Sequence, residues 1–196
     1  MCHSDASRPP AAPGAVPAAS DGPLELRATD GTRVLAHEAR PADPSGVGIV
    51  ILPDVRGLHD YYRQLAVRFA ETGSEAAAVD YFGRTAEDDD RSGGGYSWRQ
   101  SADTAGLTGC IGFYGRPSLV TDAVDRMAAP LLMLIAGADA NLPPADSEAL
   151  AAAAGARVPV ELVVFDGAPH SFFDRSFAEH EAHCVRAWDE IRRFVS

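Results

Sequence analysis

Two runs of this chain, GVGIVILP (46–53) and PLLMLIAG (130–137), contain no charged residue and are dominated by aliphatic side chains. A strand with one face in water alternates apolar and polar residues. A run that is apolar at every position has no face to offer to water. Such runs are the mark of strands covered on both faces in a parallel sheet. Parallel neighbours need long crossover connections, usually helices, so these two runs predict an α/β architecture.

The rest of the chain supplies the alternation. LELRAT (24–29) and RVLAHEAR (33–40), separated by DGT, have strand periodicity around a turn signal and read as an opening antiparallel hairpin. A helix is predicted from His59 to Thr72, with Tyr62, Leu65, Ala66 and Phe69 at helical spacing and Gly73 as its stop. EAAAVDYF (75–82), TGCIGFYG (108–115) and PVELVVF (159–165) read as further strands, and YSWRQSADT as a short helix. PPADSEALAAAA (143–154) opens with proline and acids and runs into alanine, a strong helix former. SFAEHEAHCVRAWDEIRRFV (176–195) reads as a closing amphipathic helix with Phe177, Cys184, Trp188, Ile191 and Val195 near one face. Strands alternating with helices give a sandwich around a mainly parallel sheet.

Composition narrows the function. The 196 residues carry a net charge of −11, which disfavours nucleic acid and anionic membrane, since both attract basic patches. No apolar run reaches the roughly 20 residues that span a bilayer. The three cysteines, Cys2, Cys110 and Cys184, form neither a disulfide framework nor a zinc-binding spacing, as suits a reducing compartment. Residues 1–22, rich in Pro, Ala and Ser, lack the pattern of a secretory signal and read as a flexible leader before one domain at 23–196. A cytoplasmic protein is expected. No feature of the sequence sets an oligomeric state.

In open α/β sheets the chemistry lies just beyond the carboxyl ends of the strands. There the chain places Asp54-Val55-Arg56-Gly57, then Gly83-Arg84, then Ala138-Asp139-Ala140-Asn141, and finally His170-Ser171. An Asp followed by a His on later strand-end loops is the chain order of the acid and base in α/β-hydrolase triads. The acid orients the imidazole, and the imidazole takes a proton from a nucleophile. Asp and His also occur at such ends merely to cap helices and turns.

The strings ILPDVRGLHDYYRQLAVRFAETG, VDYFGRT, GCIGFYGRP, LLMLIAGADANLP and FDGAPHSFFDR together resemble the dienelactone hydrolase family of α/β-hydrolases, in family order over residues 24–195. That family includes carboxymethylenebutenolidases, which open a lactone through a cysteine nucleophile without metal or organic cofactor. The resemblance implies a three-layer α/β-hydrolase sandwich, a triad acid at Asp139 and a triad base at His170. It implies that Asp54 stands where an acid holds the resting nucleophile, with the Val55 N–H as an oxyanion donor. Arg84 and Arg175 stand where the family binds a substrate carboxylate, the register of Arg175 being open by one residue. The implied partner is a small ester or lactone carrying a carboxylate. Two bland alternatives stand beside these roles: Asp54 as a cap for the following helix, and Arg84 in an ion pair with a neighbouring acid.

One part of the family pattern is missing. The family presents its nucleophile in Gly-x-Cys-x-Gly-Gly, at a sharp turn after a buried strand that a helix precedes. A strand–helix–strand unit takes roughly 30 residues or more, yet only the ten residues 83–92 separate VDYF from GGGYSWR. The fold is therefore expected to be shortened by one helix and one central strand, through an internal deletion that removes the nucleophile. The neighbours of that strand should then pair with each other or leave ladder groups unpaired. Ser92, in Ser-Gly-Gly-Gly, is the remaining nucleophile candidate, although Asp90 replaces the leading glycine and no strand precedes it. Cys110 reads as a buried strand residue and Cys184 as helix packing. The acidic run EDDD (87–90) reads as a solvated loop. Hydrolysis with impaired or no turnover is expected; the alternative is a non-catalytic remnant that binds a small molecule.

Overall fold

The computed structural model describes residues 7–54, 56–81 and 93–196. It divides into two compact units: residues 1–91 with Phe173–Phe177, and Ser92–Phe172 with Ala178–Ser196.

In the first unit, β1 (Ser20–Arg27) and β2 (Arg33–Arg40) form the expected antiparallel hairpin, with Arg27 opposite Arg33. Its turn holds Gly31 at φ 85°, and the Asp30 carboxylate accepts from the Thr32 N–H at 2.9 Å. β2 pairs antiparallel with β4 (Glu75–Val79), and β4 pairs parallel with β3 (Gly48–Ile51), giving the order β1-β2-β4-β3. The helix α1 (Asp60–Ala70) is the crossover between β3 and β4 and buries Tyr61, Tyr62, Ala66, Phe69 and Ala70.

Two expectations differ here. β1 begins at Ser20, inside the segment read as a leader, and Ala19 and Val16 donate backbone N–H groups to Arg40 and Glu71 at 2.9 and 3.0 Å. Hydrogen bonding to an existing strand and helix orders residues whose composition alone could not order them. β3 is the last strand of its sheet, and Val50 in it is 66% exposed. The apolar run of 46–53 predicted cover on both faces; instead the Ile49 and Ile51 face is covered and the Val50 face is open.

The second unit is parallel throughout. It comprises α2 (Gly93–Asp103), β5 (Cys110–Phe113), β6 (Leu131–Ala136), α3 (Pro144–Ala154), β7 (Val160–Phe165) and α4 (Glu181–Val195), with sheet order β5-β6-β7. Every residue of β6 is buried. Leu131, Met133 and Ile135 join Trp98 of α2, Leu150 and Ala154 of α3, Val120 and Val158 in one apolar cluster. Strand alternation turns Leu132 and Leu134 the other way. α4 also packs on β6 and buries Cys184, Ala187, Trp188 and Ile191. It is shorter than the predicted 176–195, because Phe177–Glu179 form a separate 3₁₀ turn before it.

The contact of α2 with β5 depends on glycines. A Cβ on Gly112 would lie 2.3 Å from Trp98 Nε1, and one on Gly94 would lie 2.2 Å from the Phe113 carbonyl oxygen. Only residues without a side chain allow this approach. It lets the buried Trp98 indole donate to the Leu132 carbonyl at 3.3 Å.

Candidate active site

β6 and β7 lie side by side in parallel with Ala136 opposite Phe165, so their carboxyl ends reach the same level. Beyond β6 the chain runs Gly137-Ala138-Asp139; beyond β7 it turns through Gly167 (φ 73°) to Pro169 and His170. Gly137 and Ala138 donate backbone N–H groups to Phe165 and Ala168, each at 2.9 Å, which ties the two loops together. A Cβ on Gly137 would stand 2.7 Å from the Phe165 carbonyl oxygen, so the first of these contacts requires glycine.

The two loops bring Asp139 Oδ2 to 2.5 Å from His170 Nδ1. The other carboxylate oxygen, Oδ1, accepts the Asn141 and Leu142 N–H groups at 2.9 and 3.2 Å. The acid is therefore fixed through its own turn before it meets the histidine. The Asp139 side chain is 2% exposed and that of His170 is 26% exposed. An ionised carboxylate only accepts hydrogen bonds, so Nδ1 is assigned as the protonated nitrogen, leaving Nε2 as the basic one. A buried acid fixing the tautomer of a partly exposed imidazole is an arrangement suited to general base chemistry.

Two further features lie at this histidine, and neither carries a functional signal in the sequence. Tyr114, the residue after β5, has its ring centroid 4.8 Å from that of His170. Tyr114 (φ 35°) and Ser171 (φ 65°) are the two non-glycine residues with positive φ among those described. Each such conformation costs on the order of 1–3 kcal/mol and persists where its surroundings over-determine it. The string FYG was visible at a strand end, but a backbone reversal at a tyrosine leaves no periodic signal.

The other candidates are placed as follows. Asp54 is buried in the first unit, just beyond β3. Its N–H donates to Tyr62 Oη at 3.0 Å, and its Oδ1 accepts the Arg56 N–H at 3.1 Å. It does not cap α1; His59 does, its Nδ1 accepting from the Tyr61 N–H at 3.3 Å. Arg175 is exposed in the 173–177 segment of the first unit, and its backbone N–H donates to the buried Asp174 carboxylate. Val55, Arg84, Ser92 and the acidic run 87–90 lie outside the described residues.

Cys110 opens β5 and is buried, and burial pushes its thiol up to about 11. A thiol is nucleophilic as the thiolate, so a raised value makes it inert near neutral pH. Cys184 is buried in α4, with Sγ 3.6 Å from the Phe172 carbonyl oxygen. Among the described residues no helix is long and apolar enough to cross a membrane, and no cluster of three or more His, Cys, Asp or Glu could hold a metal.

The sequence profile of the Dienelactone hydrolase family matches residues 92–196. A protein named "Putative carboxymethylenebutenolidase" from Saccharolobus solfataricus is 33% identical over 107 residues, which are 53% of this chain and 40% of that protein. The chain thus spans well under half the length of this curated relative.

Among solved structures, a dienelactone hydrolase-like promiscuous phosphotriesterase from metagenomic libraries aligns with a TM-score of 0.69 at 20% identity, over 89% of this chain and 98% of its own. Dienelactone hydrolase from Anabaena variabilis aligns with a TM-score of 0.66 at 16% identity, over 89% of this chain and 99% of its own. At these identities the likeness is one of fold, a shortened α/β-hydrolase arrangement.

Proposed function

Because this chain belongs to the dienelactone hydrolase family, we propose that it is an ester or lactone hydrolase by descent whose turnover is impaired. The observation that carries the proposal is the Asp139–His170 contact at 2.5 Å, an acid–base pair with no nucleophile elbow in the sequence to serve. In the intact chemistry His170 Nε2 takes the proton of the nucleophile as it adds to the ester carbonyl. His170 then returns that proton to the leaving oxygen as the acyl–oxygen bond breaks, while Asp139 stabilises the imidazolium between the two events. The substrate is a small carboxymethylenebutenolide-like ester or lactone bearing a carboxylate; the family pattern assigns its carboxylate to Arg84 and Arg175, and support of the nucleophile and oxyanion to Asp54 and Val55. No cofactor takes part, and the protein works in the cytoplasm.

An internal deletion before the triple glycine, where only residues 83–92 follow VDYF, would account for the impairment. In an unrelated serine protease, loss of the nucleophile cost about 10⁶ in turnover, with about 10³–10⁴ over water retained by the rest of the site.

The test is hydrolysis of p-nitrophenyl acetate beside an intact family member. Turnover at least about a thousandfold lower is expected, short of the full loss of about 10⁶ above; turnover within about tenfold would overturn impairment. Whatever remains should vanish in His170→Ala, and Ser92→Ala tests the surviving hydroxyl. Activity abolished by Cys110→Ala alone would contradict the assignment of that thiol to the core. A second reading, a small-molecule-binding module without turnover, is favoured if a carboxylate lactone binds and all three variants leave hydrolysis at background.

A further inference from the structure

We propose that Tyr114 is a positioning residue for His170, its ring fixing the plane of the imidazole that Asp139 anchors at one atom. The inference rests on the reading of Asp139–His170 as an acid–base pair. The hydrogen bond from Nδ1 to Oδ2 anchors one atom of the imidazole, and a packing contact away from that atom adds to the hold on the ring plane. The Tyr114 ring supplies one, with centroids 4.8 Å apart and planes at 49°.

The backbone explains how that ring arrives there. The Tyr114 N–H donates to the Leu134 carbonyl at 2.8 Å, extending the β5–β6 ladder by one residue and holding the chain on that side. On the other side Gly115 is pressed against α2. A Cβ there would lie 2.6 Å from both the Gly95 nitrogen and the Trp98 ring. Between these two constraints the chain reverses at Tyr114, with φ 35°. Glycine would meet the reversal without strain, and asparagine with little; a large aromatic residue stands there instead, which points to a use for its side chain.

The ring is itself held. It packs against Phe113 at 5.6 Å and Phe172 at 5.8 Å, the latter edge-on at 73°. Phe172 in turn leans on Phe165 at 4.8 Å. On the histidine's own loop, the completely buried Ser171 at φ 65° and the Phe172 N–H donating to the Pro169 carbonyl at 3.2 Å fix the backbone from which the imidazole projects. Tyr114 thus joins a braced aromatic wall to the histidine of the acid–base pair.

The test reads the His170 Nδ1–H proton by NMR in the full chain with labelled histidine, assigned by its loss in His170→Gln. In Tyr114→Leu its exchange with solvent should quicken roughly two- to tenfold, the weight of one ring contact. Tyr114→Phe should behave as wild type. Tyr114→Asn, which accepts left-handed backbone, should quicken exchange as Leu does and covers the case in which Leu fails to fold.

Unchanged exchange in Tyr114→Asn would overturn the proposal. So would equal quickening in Tyr114→Phe, which would assign the effect to the hydroxyl. The readout needs no turnover, so a chain without hydrolytic activity still answers it. Absence of the Nδ1–H signal in wild type would instead strike at the acid–base pair itself.

Discussion

Asp139 meets His170 with only one of its two oxygens: Oδ2 lies 2.5 Å from Nδ1, while Oδ1 is taken by the Asn141 and Leu142 N–H groups. The carboxylate is thereby part of a turn and part of a pair with the histidine, and substitutions can separate the two duties.

Asp139→Ala removes the acceptor for both backbone donors and for the imidazole. Unfolding in urea, followed by tryptophan fluorescence, should show a loss of about 2–4 kcal/mol. Asp139→Asn keeps an oxygen for the turn and should lose about 1 kcal/mol, yet its amide cannot hold the same imidazole tautomer. Equal losses in the two variants would mean that the turn contributes nothing.

Cys110 predicts a pH dependence. Burial raises its thiol from the ordinary 9.0 to about 11, so the folded state binds that proton more tightly than the unfolded chain does. Its contribution is present in full below pH 9 and declines as pH rises toward the folded value. The stability gap between wild type and Cys110→Ala should shift by about 2 kcal/mol against wild type between pH 8 and pH 11. A gap independent of pH would show that the thiol ionises as freely folded as unfolded.

Gly112→Ala drives a methyl group into Trp98, whose Nε1 would be 2.3 Å away, with the Gly94 carbonyl oxygen at 2.6 Å on a rigid backbone. Neither neighbour can yield without parting α2 from β5. A loss of about 2–4 kcal/mol and a shifted Trp98 emission are expected. A neutral result would mean that this approach is looser than described.

Tyr62→Phe removes the hydroxyl that accepts the N–H of buried Asp54 at 3.0 Å. A cost of about 1–2 kcal/mol should appear in thermal unfolding. Tyr81→Phe is the comparison: its hydroxyl donates to the Pro53 carbonyl at 3.0 Å, in a partly buried setting that water can replace. The second variant should cost less than the first.

Much of this architecture was legible before any coordinates. PLLMLIAG became β6, whose residues are all buried, because a run without polar positions has only one stable place in such a fold. Alanine and an N-terminal proline marked α3, and Gly73 ended the first crossover helix, each through local backbone preference. GVGIVILP shows the limit of that logic. Its apolar content resembles that of PLLMLIAG, yet Val50 is 66% exposed while Ile51 is buried, so only one face of β3 is covered. Which strands neighbour one another is a property of long-range pairing, and no local periodicity records it.

The same division runs through the candidate site. By itself the sequence determined that an acid and a histidine would stand on loops after consecutive apolar strands, and that only ten residues would separate VDYF from the triple glycine. These are matters of order and spacing along the chain. Only the tertiary structure decided that β6 and β7 end level and that Oδ2 meets Nδ1. It alone turned the chain at Tyr114 to lay a ring beside His170. Those outcomes depend on ladder register and on close backbone approach through Gly112 and Gly115, where positions are set by packing to within a few tenths of an ångström.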